Sequence, residues 1–430
     1  MTVPFRPIPG KTSPLTTLLP TSVAPARHQP DIDAIVAPAR PGDPIGIYLH
    51  IPFCGHICSY CDFNTYAGQE SLIPRYVTAM EREIARQGAA LGGPAATTVY
   101  IGGGTPSLLT PAQIERLVTA CRASFAVAAD AEISMEANPN SFDEARAAGY
   151  LGAGVNRLSM GVQTQHRRGL RVLGRQHEAD DAARAFAAAR RAGFANINVD
   201  LIFGWPGQTL DVWRDDLEAL LGWPGGANGG TGPDHFSLYS LIVEPGTPMA
   251  EAVTRGVFTV PDDDASADLY EAAIDRLAAA GFVHYEVANW ARDQRHSSRH
   301  NVIYWQNGDF AGIGAGAFGT LRGERLMQHL RPIAFIEAVE QGLAPISNTE
   351  PIDAATAISE TMLLGLRLLR TGVDADAFAR RHGIALRDAY GEVIDLAIAR
   401  NLIERTSGGV RLTHQGLMLS NDVTAEFVRP

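Results

Sequence analysis

The chain has 430 residues, 46% hydrophobic and 19% charged, which describes a soluble globular protein of roughly two or three domains; no apolar run reaches the ~18 residues of a membrane span. Its 36 Lys and Arg against 47 Asp and Glu leave a formal charge of −11, which argues against a nucleic-acid partner. Four cysteines, three of them in one short run, exclude a disulfide framework and suit a reducing cytoplasm, where clustered thiols usually mean metal.

Residues 1–42 are rich in Pro, Ala, Thr and Ser without sustained periodicity and lack an apolar signal segment with a cleavage site, so they are read as a flexible extension of a cytoplasmic protein. Regular patterning begins at residue 43 and runs to about 330. Strands are expected at 45–51, 97–101, 132–136, 157–162, 196–202 and 235–241, with a further candidate at 284–289. Amphipathic helices are expected between them at 71–91, 111–125, 178–192, 210–221 and 265–280. Repeated strand–helix alternation implies an α/β fold of parallel strands with right-handed crossovers. Residues 222–234 form a Gly-rich loop. From 331 to 430 the pattern turns to consecutive helices at 354–370, 375–382 and 386–400, then a Gly-Gly hairpin signal and a last helix, as in a helical, winged-helix-type unit.

The densest chemistry lies in "HIPFCGHICSYCDFN", residues 50–64, just after the first strand. Cys54, Cys58 and Cys61 offer three thiolates in one loop with no evident fourth ligand. A structural zinc site wants four ligands, commonly in two separated pairs, whereas three thiolates suit a [4Fe–4S] cluster with one iron left open. Zinc completed by His50 or His56, or three incidental buried thiols, are the competing readings. Cys121, alone on an amphipathic helix, is read as a core residue.

Other polar groups fall at the ends of successive strands. "YIGGGTPS" puts Gly102, Gly103, Gly104 and Thr105 after the second strand, where glycines let a ligand approach the backbone. Glu136 ends the third, Gln163 ends the fourth with Arg175 twelve residues on, and Asp200 sits inside an apolar fifth. A structural hydrogen bond explains each of these singly as well as a ligand contact does. Their common edge, where parallel barrels place their sites, favours the ligand.

The cysteine run "CGHICSYC" resembles the signature of the radical SAM enzymes. The resemblance covers about residues 44–427 and implies a partial (β/α)6 barrel, a [4Fe–4S] cluster, an electron donor to reduce it, and S-adenosyl-L-methionine (SAM) chelated by the open iron. It places Tyr48, Gly103, Gly104, Thr105, Glu136, Gln163, Arg175 and Asp200 at the SAM site, with Glu136 facing the SAM ammonium.

"IYLHIPFC", "GGGTPS", "VNRLSMGVQ", "DLIFGWPGQT" and "YEVANWA" narrow the resemblance to the oxygen-independent coproporphyrinogen oxidase group, whose extra domain the C-terminal region is similar to. The decarboxylating oxidases carry a further cysteine two places after the third; here that place is Phe63, in the "CDFN" continuation of the sister family, the heme chaperones often called HemW. "HNVIYW", residues 300–305, resembles the chaperones' HNxxYW heme motif, which makes His300 the candidate imidazole ligand to heme, with Tyr304 and Trp305 beside the macrocycle. Taken alone, a His beside aromatics is more often a hydrogen-bonded structural residue. "GIGAGAFG", residues 312–319, fits a dinucleotide loop poorly and is read as a loop closing near the cofactor.

The resemblance thus implies a heme carrier linked to porphyrin metabolism that delivers heme to an acceptor such as a respiratory cytochrome, without a membrane span but with room for transient membrane contact. The alternatives are a coproporphyrinogen dehydrogenase-type oxidoreductase that decarboxylates propionates to vinyl groups, and a radical SAM enzyme that modifies heme. Phe63 favours the carrier over the oxidase.

Overall fold

A period-2 pattern runs through the strand segments: in "IGIYLHI", Ile45, Ile47, Leu49 and Ile51 alternate with Gly46, Tyr48 and His50, which gives one apolar and one polar face. A computed structural model describes residues 44–225 and 231–429. The extension read at 1–42, and residues 226–230 of the Gly-rich loop, lie outside the described residues.

Strands β1 (Ile45–Ile51), β2 (Ala95–Gly103), β3 (Ala126–Ala137), β4 (Arg157–Gln163), β5 (Ile197–Phe203) and β6 (His235–Ser240) pair in parallel, each with the next. These are the six strands expected. Between them run the helices Ile73–Leu91, Pro111–Ser124, Glu144–Gly152, Ala179–Ala192 and Leu210–Leu221. Thr110 opens the second of these with a capping box to Gln113, which satisfies first-turn N–H groups that a helix leaves bare.

The outward set of strand residues, among them Ile47, Leu49, Val99, Ile101, Met135, Met160 and Leu201, joins the helices in one large apolar core. The inward set is polar and buried: Tyr48, His50, Thr98, Tyr100, Ser134, Arg157, Ser159, Asn198, Asp200, His235 and Ser237. Polar groups in such a place need partners, and many find them across the strands: Tyr100 donates to Glu136 (2.9 Å), and Ser159 and Asn198 donate to Asp200 (3.0 and 2.8 Å).

The sheet is wider than the six strands. The single strand expected at 284–289 is an antiparallel pair, β7 (Val283–Glu286) and β8 (Asn289–Ala291), because the chain reverses at Val287 and Ala288. On the other side β9 (Phe310–Ile313) runs parallel to β1, and β10 (Phe318–Leu321), β11 (Glu324–Gln328) and β12 (Ile346–Pro351) follow antiparallel. The twelve-stranded order is β12-β11-β10-β9-β1-β2-β3-β4-β5-β6-β8-β7, an open, partial barrel. Its β12 edge, "ISNTEP", is polar and ends in proline, a composition that discourages pairing with another chain.

The helix Pro332–Glu340 buries Phe335, Ile336 and Val339 in the large core. A second core begins at Ile358 and gathers the helices Ala354–Gly365, Ala375–His382 and Leu386–Ala399 with a small sheet in which Gly409–Leu412 lies between Val373–Asp374 and Ile403–Arg405. The Gly-Gly signal forms the turn of this wing. Backbone bonds from Leu369 to Tyr285 (3.0 Å) and from Val287 to Arg367 (3.2 Å) join the second core to the barrel. No helix among the described residues is long and apolar enough to cross a membrane.

Candidate functional site

The parallel strands end on one edge, and the cysteine loop leaves β1 there. Cys54 is buried, Cys58 and Cys61 are half-buried, and all three are free thiols. Each sulfur has a hydrogen-bonding neighbour: Thr105 Oγ1 donates to Cys54 (3.5 Å), Arg175 Nη1 donates to Cys58 (3.5 Å), and Thr65 Oγ1 lies 3.9 Å from Cys61. Burial pushes the Cys54 thiol up and the Cys61 thiol up to about 11, the latter opposed by the Phe63 backbone N–H. A buried thiol prefers its proton until positive charge arrives, so donors already turned toward sulfur fit a metal-bound thiolate better than a core cysteine. Cys121 is the contrast: fully buried in the helix Pro111–Ser124 with its thiol pushed up to about 12 by burial alone, it behaves as the core residue expected. Among the described residues no three His, Cys, Asp or Glu side chains already converge as metal ligands. The three sulfurs share one loop rather than one apex.

Glycine shapes the floor of this loop. A Cβ on Gly104 would fall 2.7 Å from Phe53 O and 3.0 Å from Cys54 Sγ, so only glycine lets β2 run under the cysteines. Gly103 has φ +114° and donates its N–H to Glu136 Oε2 at 3.0 Å, which aims that carboxylate. A cleft beside the loop is lined by His56, Cys58, Thr105, Asn138, Arg175 and Gln176.

Arg175 spans Cys58 and β4, with Nη2 donating to Gly161 O (2.7 Å), and its Nε has no partner among the described residues. Gln163 closes β4 with φ +70°, buried, its Oε1 without a partner among the described residues. Asp200 faces Glu136, and burial first, then that carboxylate, raises its pKa to about 6. Tyr48 turns its hydroxyl to His50 Nδ1 (2.8 Å) and stacks on Tyr100 at 6.2 Å. His50 Nε2 is held by Asn64 O (3.0 Å), so both its ring nitrogens are engaged and it is not offered as a zinc ligand; His56 lies exposed on the loop.

His300 lies apart from this edge. It sits on the short helix Arg299–Trp305, beneath the first half of β1 and β2, and is fully buried. Its Nδ1 hydrogen-bonds with Thr98 Oγ1 and its Nε2 with Tyr304 OH, both at 2.7 Å, and the ring stacks on Tyr100 at 5.2 Å. Burial lowers its pKa to about 3, so the ring is neutral at physiological pH. Tyr304 meets Phe310 edge-on at 4.5 Å, and the Arg367 guanidinium covers Trp305 at 4.2 Å. "GIGAGAFG" is part strand, within β9 and β10, and its turn accepts from Asn64 Nδ2 at Ala315 O (3.0 Å), which ties it to the cysteine loop.

Several contributors escape the motif reading: Tyr100, Ser159, Asn198, His235 and Asn64. The first four carry a signal, since each occupies the inward parity of a strand whose other parity is apolar. Asn64 carries none, because a carbonyl its side-chain amide reaches, Ala315 O, lies 251 residues away in the chain.

Residues 48–220 match the Radical SAM superfamily and residues 352–419 match the HemN C-terminal domain. With the open parallel barrel, these matches define the class: a radical SAM protein with a HemN-type C-terminal region. The chain is 36% identical over 383 residues to the heme chaperone HemW of Bacillus subtilis, covering 89% of this chain and 98% of that one. It is 38% identical over 391 residues to that of Mycobacterium tuberculosis (89% and 94% covered) and 32% identical over 392 residues to that of Escherichia coli K12 (90% and 98% covered). The chain belongs to the heme chaperone HemW family of radical SAM proteins. Among solved structures, coproporphyrinogen III oxidase (HemN) from Escherichia coli superposes with a TM-score of 0.76 at 22% identity, over 90% of this chain and 91% of that one, a likeness of fold.

Proposed function

We propose that this protein is a heme carrier: it takes up heme and passes it to an acceptor protein such as a respiratory cytochrome, and it holds a [4Fe–4S] cluster through Cys54, Cys58 and Cys61 with SAM at the open iron. The observation that carries this reading is a loop of three thiols followed by Phe63 rather than a fourth, in a chain whose likeness to the chaperones runs through 89% of its length. Phenylalanine neither ligates metal nor exchanges protons, so chemistry that depends on a thiol at that place is absent.

Cys54, Cys58 and Cys61 would hold the cluster, which when bound and reduced would supply reducing power toward the SAM sulfonium. The chain's own groups bind and orient. Thr105 donates to the Cys54 sulfur, which favours its thiolate form, and Arg175 donates to the Cys58 sulfur. Gly103 and Tyr100 hold Glu136 ready for the SAM ammonium, and Ser159 and Asn198 hold Asp200 as a second acceptor. Tyr48, Gly104 and Gln163 complete the SAM site. His300, a neutral imidazole, is the proposed heme ligand.

The test is to incubate anaerobically reconstituted, reduced protein with SAM and coproporphyrinogen III, and separately with heme. Heme uptake without protoporphyrinogen formation is expected. Protoporphyrinogen as product would overturn the reading in favour of a decarboxylase.

A further inference from the structure

Strand β4 ends in a strained corner. Its pairing with β5 shifts register between Gly161 and Gln163, a bulge of the kind that re-aims a terminal side chain. Thr164 N donates to Val162 O at 2.9 Å across Gln163, whose φ is +70°. This is a three-residue γ-turn of the rare positive-φ kind, and a non-glycine residue adopts it only where the surroundings over-determine it. Gln163 is 4% exposed and its Oε1 has no partner among the described residues, so the strained residue presents an unused acceptor.

What over-determines the turn comes from outside the barrel. Asp216 lies on the buried face of the helix Leu210–Leu221, among Trp213, Leu217 and Leu220, where period and polarity call for an apolar residue. Both of its oxygens accept from the residues just past Gln163: Thr164 Oγ1 donates to Oδ2 at 2.6 Å and Gln165 N donates to Oδ1 at 2.7 Å. Thr164 Oγ1 in turn accepts from His166 N at 3.0 Å. The carboxylate accepts from both donors at once, whereas an asparagine offers one acceptor and can keep both contacts only if the Thr164 hydroxyl reverses.

We propose that Asp216 and Thr164 form a lock that holds Gln163 in its left-handed turn and aims its amide at SAM. Asp216 is then a positioning residue that acts through Gln163 without touching the ligand. The inference rests on the reading of Gln163 as part of the SAM site. It assigns a role in SAM affinity to a helix on the far side of the sheet.

The test measures SAM binding to reconstituted protein by equilibrium dialysis, together with the change SAM causes in the electron paramagnetic resonance of the reduced cluster. Asp216→Asn and Thr164→Val should each weaken SAM binding about tenfold, with the double variant no worse than either single one. Thr164→Ser, which keeps the hydroxyl, should restore it, and iron content and heme uptake should not change. In a Gln163→Gly background, where glycine adopts positive φ freely, adding Asp216→Asn should cost nothing further. The lock is overturned if Gln163→Gly is impaired while Asp216→Asn and Thr164→Val bind SAM like wild type. If Gln163→Gly itself binds SAM normally, the site reading beneath the lock falls.

Discussion

The strand-end edge and the His300 pocket lie on the same β-strands, separated by the Tyr48–Tyr100 aromatic pair, yet they stand in opposite states. At the edge, polar groups are arranged but not used up: among the described residues Gln163 Oε1 and Arg175 Nε have no partner, burial pushes the Cys54 and Cys61 thiols up, and glycine keeps a cradle open beneath Cys54. In the pocket the histidine's own capacity is taken, although Trp305 Nε1 has no partner among the described residues. His300 is fully buried with both ring nitrogens hydrogen-bonded, and Tyr304 and Trp305 pack against Phe310 and Arg367. A site with unmet hydrogen-bonding capacity is preorganised for a ligand; a saturated one must first give up bonds. On the proposal that His300 ligates heme iron, its hydrogen bond to Thr98 or to Tyr304 would first have to break.

The largest effect that tests this contrast is loss of the cluster. Changing Cys54, Cys58 or Cys61 to Ala should abolish the broad iron–sulfur absorbance of reconstituted protein. Undiminished iron and sulfide in any of the three variants removes that cysteine from the ligand set.

A smaller effect probes the cost of holding Asp200 charged in the barrel. Its pKa rises from 3.8 to about 6, with burial the main cause and Glu136 the next. The folded state therefore binds the proton more tightly than the unfolded one between those values, and the charged carboxylate costs stability above them. Asp200→Asn removes this pH-dependent cost together with one acceptor for Ser159 or Asn198, so in thermal melts the cluster-free variant should gain stability relative to wild type by on the order of 1–3 kcal/mol as pH rises from 4 to 7, while binding SAM more weakly. That relative gain should shrink as pH falls from 7 to 4, because the wild-type carboxyl becomes neutral. A difference that stays constant with pH would show that Asp200 is not held charged at a cost.

How much of this was legible in the sequence follows from the range of each signal. Strands β1 to β6 announce themselves because apolar outward positions repeat every second residue, and the cysteine loop and Gly102–Gly104 follow such strands directly. The stretch from β9 to β12 does not, since its strands are short, partly glycine and polar at the edge. Asp216 shows as a carboxylate in an apolar helical stripe, but its target is 52 residues away. The saturation of His300 depends on Thr98, 202 residues distant, and no motif reports it.

Heme titration of the reconstituted wild type and the His300→Gln variant, followed in the Soret band, tests the carrier account most directly. Glutamine can keep one of the two buried hydrogen bonds but supplies no imidazole. The account predicts uptake by wild type and a shifted band with weaker binding in the variant. The same band and the same affinity in both would contradict it and leave His300 a purely structural residue.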